Sequence, residues 1–216
     1  MMTRFMNRIH AGQLLAQRLS HLKGRPDVKI VALPRGGVPV AFEVATATGM
    51  PLDVLIVRKL GVPSHEELAM GAIASGGVKY VDKDMIKNLG ITKQQVAEVV
   101  AAESRELVRR ESLYRKGLAP LELSGFHVVL VDDGLATGAT MHAAIQAIRT
   151  KAPKRITVAV PVAPAATCGA LRRLVDDVIC LQMPEDFMGV GECYADFTQT
   201  SDASVVALLH KAQQGA

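Results

Sequence analysis

Tryptophan is absent from this 216-residue chain, and aromatic residues make up only 4% of it. A core of that composition must be aliphatic, which suits a sheet buried on both faces better than an all-β sandwich. Cysteine is also scarce. Cys168, Cys180 and Cys193 are widely spaced and no Cys-x-x-Cys occurs, so free thiols in a reducing compartment are expected, not a disulfide framework or a zinc site. No apolar run nears the roughly 20 residues that a membrane span needs, and the N-terminus lacks the long apolar stretch of a secretory leader. A soluble, cytoplasmic protein is the expectation. There is no uniform block of like charge. The net charge of +4 and pI near 9.1 suit anionic small molecules and do not by themselves imply nucleic acid. His65-Glu66-Glu67-Leu68-Ala69 begins like a zinc-protease motif, but Ala69 stands where the second His belongs.

What the chain does have is 49% hydrophobic residues, enough for a sizeable core in one domain over residues 1–216. Asn7 to about Leu22 reads as an amphipathic helix. Lys29–Leu33 reads as a buried strand, Pro34-Arg35-Gly36-Gly37 as a loop, and the following residues to Thr48 as a helix. Asp53–Val57 is a second strand ending at Arg58-Lys59, which completes a βαβ unit and implies a parallel sheet. Leu60–Tyr80, with Gly61, Gly71, Gly76 and Gly77, reads as a long, partly extended, mobile segment. Residues 84–116 are helical, with Val96, Val100, Leu107 and Tyr114 as an apolar stripe. Strands at 126–131, 156–162 and 178–181 alternate with helices at 140–151 and 165–175. A loop over 184–201 and a terminal helix close the chain. The alternation predicts an α/β fold, three-layered, with a mostly parallel sheet.

The most informative stretch runs from Val128 to Thr140. Four apolar residues meet Asp132-Asp133, and the small-residue loop Gly134-Leu135-Ala136-Thr137-Gly138-Ala139-Thr140 then opens a helix. A strand end that presents acids, followed by backbone amides at a helix N-terminus, suits a ligand that carries both hydroxyls and a phosphate. It is not a Walker A loop, because Gly134 and Gly138 are too close and no Gly-Lys-Ser/Thr follows.

This stretch resembles the 5-phosphoribosyl-1-pyrophosphate (PRPP) signature of the type I phosphoribosyltransferases, and the chain is similar to the bacterial group of predicted phosphoribosyltransferases. Gly134 departs from the signature, which usually has a larger aliphatic residue there. The resemblance implies that Asp132 and Asp133 bind the ribose hydroxyls and face the positive charge that develops at C1′, and that Ala136, Thr137, Gly138, Ala139 and Thr140 hold the 5′-phosphate. Arg35, Gly36 and Gly37 resemble the family's pyrophosphate loop. Arg58 and Lys59 match basic residues that help hold pyrophosphate, although a solvated pair at a strand edge would look the same. The segment from Gly61 to Gly77 would be the lid. His65, Glu66 and Glu67 on it serve either as acid–base groups or simply as surface. Residues 184–200 fall where the family places the hood that selects the base. Phe187 and Val190 would contact it there, although Phe187, Tyr194 and Phe197 could equally pack a small subdomain. The helical insert, about 84–117, is not general to the family.

The activity implied is transfer of 5-phosphoribose from PRPP to a nitrogenous base or related acceptor with release of pyrophosphate. Mg²⁺ would be held mainly by substrate oxygens, with Asp132 or Asp133 as contributing ligands. The acceptor stays open, because the lysine that reads a 6-oxo purine has no clear counterpart and Ala136 stands where some purine members place an Asp. The resemblance allows a homodimer. The competing reading is a non-catalytic PRPP- or nucleotide-sensing regulator of the same fold. Arg105, Arg109, Arg110, Arg115 and Lys116 would then be its nucleic-acid surface, but Glu103, Glu106 and Glu111 are interleaved with them, which argues for a solvated helix face.

Overall fold

β-branched runs form the centre of the molecule. In the computed structural model, which describes residues 4–63 and 65–214 without the side chains of Glu66 and Glu67, helix α1 (Arg8–Arg18) precedes strand β1 (Val28–Ala32), helix α2 (Gly37–Thr48) and strand β2 (Leu52–Val54). Three further strands follow, β3 (Val57–Val62), β4 (His65–Ala74) and β5 (Val78–Val81), and then two helices, α3 (Lys83–Asn88) and α4 (Lys93–Tyr114). Strand β6 (His127–Val131), helix α5 (Ala139–Arg149), strand β7 (Arg155–Val162), helix α6 (Ala165–Leu171), strand β8 (Asp177–Gln182) and helix α7 (Asp202–Gln214) complete the chain.

The main sheet has the order β2-β1-β6-β7-β8 with every neighbouring pair parallel. Because side chains alternate across a strand, its residues divide between two cores. Ile30, Ala32, Val129, Val131 and Ala159 pack with Leu15, Val44 and Leu209 from α1, α2 and α7. Val31, Val128, Leu130, Val158 and Val160 pack with Met141, Ile145 and Leu171 from α5 and α6. The result is the expected three-layer α/β arrangement.

Two expectations need correcting. The second strand does not run to Val57. It stops at Val54, where Leu55 N donates to Ala32 O at 3.1 Å and Ser75 takes both backbone groups of Ile56. The chain thereby leaves the parallel sheet, and Arg58-Lys59 lie inside β3, not at a parallel strand end. The segment Leu60–Tyr80, expected to be only partly extended, is almost all strand and belongs to an antiparallel sheet of order β3-β4-β5. Its glycines serve this sheet. Gly76 and Gly77, at φ +83° and +78°, make the β4–β5 turn, and a Cβ on Gly71 would overlap the Tyr80 carbonyl.

The insert is two helices, not one. Asp82 caps α3, and a capping box of Thr92 and Gln95 starts α4. Leu107 and Tyr114 of the predicted stripe are buried, with Val96 and Val100 packed against the same core.

His127 opens β6 with 5% exposure, and its Nε2 lies 2.9 Å from Thr157 Oγ1. Burial, reinforced by Arg155 and Arg25, holds its pKa below the ordinary 6.5. The folded protein therefore binds fewer protons here than the unfolded chain, and stability contributed above pH 6.5 is lost as pH falls through the folded value. Thermal melts from pH 8 to pH 5 should show this loss, and His127→Gln, which keeps a polar partner for Thr157, should flatten the slope.

Candidate active site

The carboxyl ends of β1 and β6 are adjacent, with Ala32 opposite Val131 and Leu33 N donating to Val131 O at 2.9 Å. The two loops that leave these strands therefore share one mouth. Arg35, Gly36 and Gly37 follow β1, and Asp132 to Thr140 follow β6. The Pro34–Arg35 peptide bond is cis. Glycine is required at both positions of the first loop. A Cβ on Gly36 would overlap Asp133 Oδ2, and one on Gly37 would come within 2.7 Å of Val131 O.

The loop from Gly134 to Gly138 is pinned at both ends. Leu135 is buried and its N donates to Val162 O at 2.9 Å, while Thr167 Oγ1 from α6 donates to Ala136 O at 2.7 Å. Gly138, at φ +75°, is the N-cap of α5. The first-turn N–H groups of α5 have no acceptor within the helix, so they and the positive end of its dipole can receive an anion. Thr137, Gly138, Ala139 and Thr140 all lie at this helix start.

Asp132 and Asp133 are half-buried beside it, with Asp133 N donating to Asp132 Oδ1 at 2.9 Å. Burial pushes both carboxyls above the ordinary carboxylate range. The Asp133 charge adds to the rise at Asp132, and Arg8 opposes it at Asp133. Arg8 was not apparent in the sequence. Its Nε lies 2.7 Å from Asp133 Oδ2, and both side chains are nearly enclosed, at 11% and 13% exposure. Tyr194 OH donates to Asp133 O from the opposite side.

Arg58 and Lys59 reach the same mouth from the second sheet. A cleft of about 560 Å³ is lined by Pro34, Arg58, Lys59, Glu103, Arg110 and Thr140, among others. It joins the pyrophosphate-type loop, the start of α5 and the insert helix α4. Arg58 pairs with Glu103 at 2.6 Å and Arg110 with Glu106 at 2.6 Å. Arg35 lies 3.6 Å from Asp202, which also receives Tyr114 OH and Arg109. Glu103, Arg110 and Asp202 are site neighbours that sequence spacing did not reveal.

The hood is built from the segment around Phe5 together with residues 187–196. Phe5 N donates to Cys193 O, and Ala195 N and Asp196 N donate to Phe5 O and Met6 O. Phe5, Cys193 and Tyr194 form a small core with Val162, and Phe187 and Val190 pack partly buried against it. Phe187 therefore has a packing role, whatever else it touches. Val190 accounts for the departure at Gly134. A Cβ there would lie 2.5 Å from Val190 Cγ1, so the hood fills the space that a larger residue would take. His65 is exposed at the start of β4. The Glu66 and Glu67 side chains lie outside the described residues. Arg109 and Arg110 pair with Glu106, and Arg115 with Asp53, which answers much of the basic helix internally. Among the described residues no helix is long and apolar enough to cross a membrane.

A model of the phosphoribosyl transferase domain matches residues 6–198. Proteins from two strains of Mycobacterium tuberculosis, CDC 1551 / Oshkosh and H37Rv, that carry provisional phosphoribosyl transferase names are each 44% identical to this chain over 210 residues. The match covers 97% of this chain and 47% of theirs, so the chain spans about half the length of these relatives. A crystal structure from Thermus thermophilus is 39% identical and superimposes with a TM-score of 0.84, covering 96% of this chain and 98% of that one.

Gly134→Leu, which puts back the larger residue, should collide with Val190, lower the melting temperature and raise hydrogen exchange over residues 187–194. Val190→Ala in the same chain should recover part of the loss. Asp132→Asn tests the buried charge. A carboxyl whose folded pKa is raised makes the protein less stable as pH climbs from the unfolded value, 3.8, through the folded one. The variant should therefore melt a few degrees higher at pH 7, with the gain vanishing below pH 4.

Proposed function

This chain belongs to the phosphoribosyl transferase family, and we propose that it moves 5-phosphoribose from PRPP to a nitrogenous acceptor with release of pyrophosphate. One observation carries the reading. Paired carboxylates follow β6, the first turn of α5 opens beside them, and a cleft carrying Arg58, Lys59 and Arg110 meets that helix start at Thr140, a set that suits the ribose hydroxyls, 5′-phosphate and pyrophosphate of PRPP.

In this reading Ala136 to Thr140 hold the 5′-phosphate through backbone amides and the Thr137 and Thr140 hydroxyls. Asp132 and Asp133 accept hydrogen bonds from the ribose hydroxyls. The bond from C1′ to the pyrophosphate oxygen breaks, its electron pair leaving on the pyrophosphate, as the acceptor nitrogen bonds to C1′ from the other face; where that nitrogen carries a proton, the departing pyrophosphate takes it up. Negative charge from the acid pair stabilises the oxocarbenium-like carbon between them. The Gly36 and Gly37 amides, with Arg35, Arg58 and Lys59, receive the leaving pyrophosphate. Arg110, on the far wall of the cleft, adds a cation from the insert. Phe187 and Val190 bound the acceptor from the hood.

The donor set fits Mg²⁺ carried in with the substrate. Asp132 and Asp133 offer hard oxygen ligands, but Asp133 is already engaged by Arg8, so substrate oxygens must supply most of the shell. When bound, the metal neutralises charge building on the leaving pyrophosphate.

Pyrophosphate release from PRPP and Mg²⁺ should depend on the base when purine, pyrimidine and nicotinate-type bases are offered in turn. Asp133→Asn should lower it by about two orders of magnitude or more, and Arg58→Ala should raise KM for PRPP about tenfold. PRPP binding in calorimetry without release under any base would favour a sensing protein. No PRPP binding would overturn the proposal.

A further inference from the structure

Arg8 lies outside every motif that pointed to the site, yet it makes the most enclosed ion pair in it. Its guanidinium has three kinds of neighbour. Nε pairs with Asp133 Oδ2 at 2.7 Å, Nη1 donates to Thr198 O at 2.7 Å, and the group lies 3.9 Å from the centroid of the Phe197 ring. The first partner belongs to the acid pair. The other two belong to the end of the hood, where Phe197 also packs on Tyr194, 5.0 Å between ring centroids. Asn7 caps the helix that carries Arg8, accepting from His10 N, so the backbone behind the guanidinium is fixed. A Cβ on Gly36 would overlap the same oxygen, Asp133 Oδ2. The carboxylate is thus held against the pyrophosphate-type loop as well as Arg8.

We propose that Arg8 is a positioning residue for the transfer, holding the Asp133 carboxylate in place and linking that carboxylate to the seating of the hood. The proposal rests on the phosphoribosyl transfer reading and deepens it. With the Arg8 guanidinium on Asp133, that carboxylate is held in one position by a charge-assisted hydrogen bond. Beyond Asp133, the guanidinium of Arg8 meets Thr198 O and the Phe197 ring, both at the end of the hood. A hood displaced by an absent or ill-fitting acceptor therefore loosens the clamp on Asp133. The coupling runs both ways, since a shift in Asp133 must disturb the hood by the same free energy.

Arg8→Met should leave the Asp133 carboxylate without its clamp and the end of the hood without the guanidinium. Amide exchange over residues 187–198 should increase, and PRPP affinity should fall roughly ten- to hundredfold. Arg8→Lys should restore part of the affinity and little of the hood protection, because an ammonium keeps the charge but not the planar fork that also meets Thr198 and Phe197. If Arg8→Met fails to fold, Arg8→Met with Asp133→Asn removes the unpaired charge, and its hood exchange decides the link. Unchanged hood exchange overturns the proposal. Equal losses of PRPP affinity in Arg8→Lys and Arg8→Met overturn it too, since simple structural damage would do that. Failure of the wild-type protein to bind PRPP overturns the transfer reading instead, and the hood exchange then judges Arg8 without PRPP.

Discussion

Two adjacent carboxylates, half sunk at the end of a buried strand, are the constraint to which the rest of this structure answers. Isolated there, they would repel each other and lose hydration, and burial does push both toward the protonated form. The surroundings are arranged to tolerate them. Arg8 supplies one cation, Asp133 N donates to Asp132, and Tyr194 OH fixes the Asp133 carbonyl. Gly36 and Gly37 give up their side chains so that a second loop can lie against the pair. None of this maximises stability, and in the proposed transfer this concentration of charge would face the reacting carbon.

The scaffold delivers this concentration through simple geometry. A parallel sheet brings the carboxyl ends of β1 and β6 side by side, so loops about a hundred residues apart in the chain become neighbours. The N-terminal segment and the hood add the roof. The segment around Phe5 bonds to Cys193, Ala195 and Asp196, and Arg8 on the following helix meets the acid pair and the end of the hood together. The small second sheet and α4 add the remaining wall, with Arg58 and Arg110 held by Glu103 and Glu106. Those pairs hold the arginines in defined positions along the cleft, and an arriving polyanion would compete with the two glutamates for them.

The legible parts of this protein were those fixed by local pattern. β-branched runs such as Val128–Val131 can only be buried strands, and their alternation with helical segments gives the parallel sheet. Asp132 to Thr140 and Arg35 to Gly37 were readable because turns that approach an anion need small residues in a fixed order. The segment Leu60–Tyr80 was read as only partly extended because its glycines look like loop punctuation. Gly71 and the Gly76-Gly77 turn matter only through what lies beside them, the Tyr80 carbonyl and the returning strand. Arg58 and Lys59 came out as site neighbours although their strand did not end where the pattern placed it.

By itself, then, the sequence determined the layering of the fold, the adjacent acids at the end of β6, the small-residue turn that opens α5 and the glycines after β1, because each is written in residues that are contiguous in the chain. Only the tertiary structure decided that Arg8 belongs to Asp133, that Val190 occupies the space above Gly134, that Asp202 gathers Arg35, Arg109 and Tyr114, and that Glu103 and Arg110 face the cleft. These partners are separated by tens to nearly two hundred residues. No periodicity encodes such a meeting, since a lone arginine on a helix looks the same facing water or facing a carboxylate. Packing of both chain ends over the sheet makes the choice.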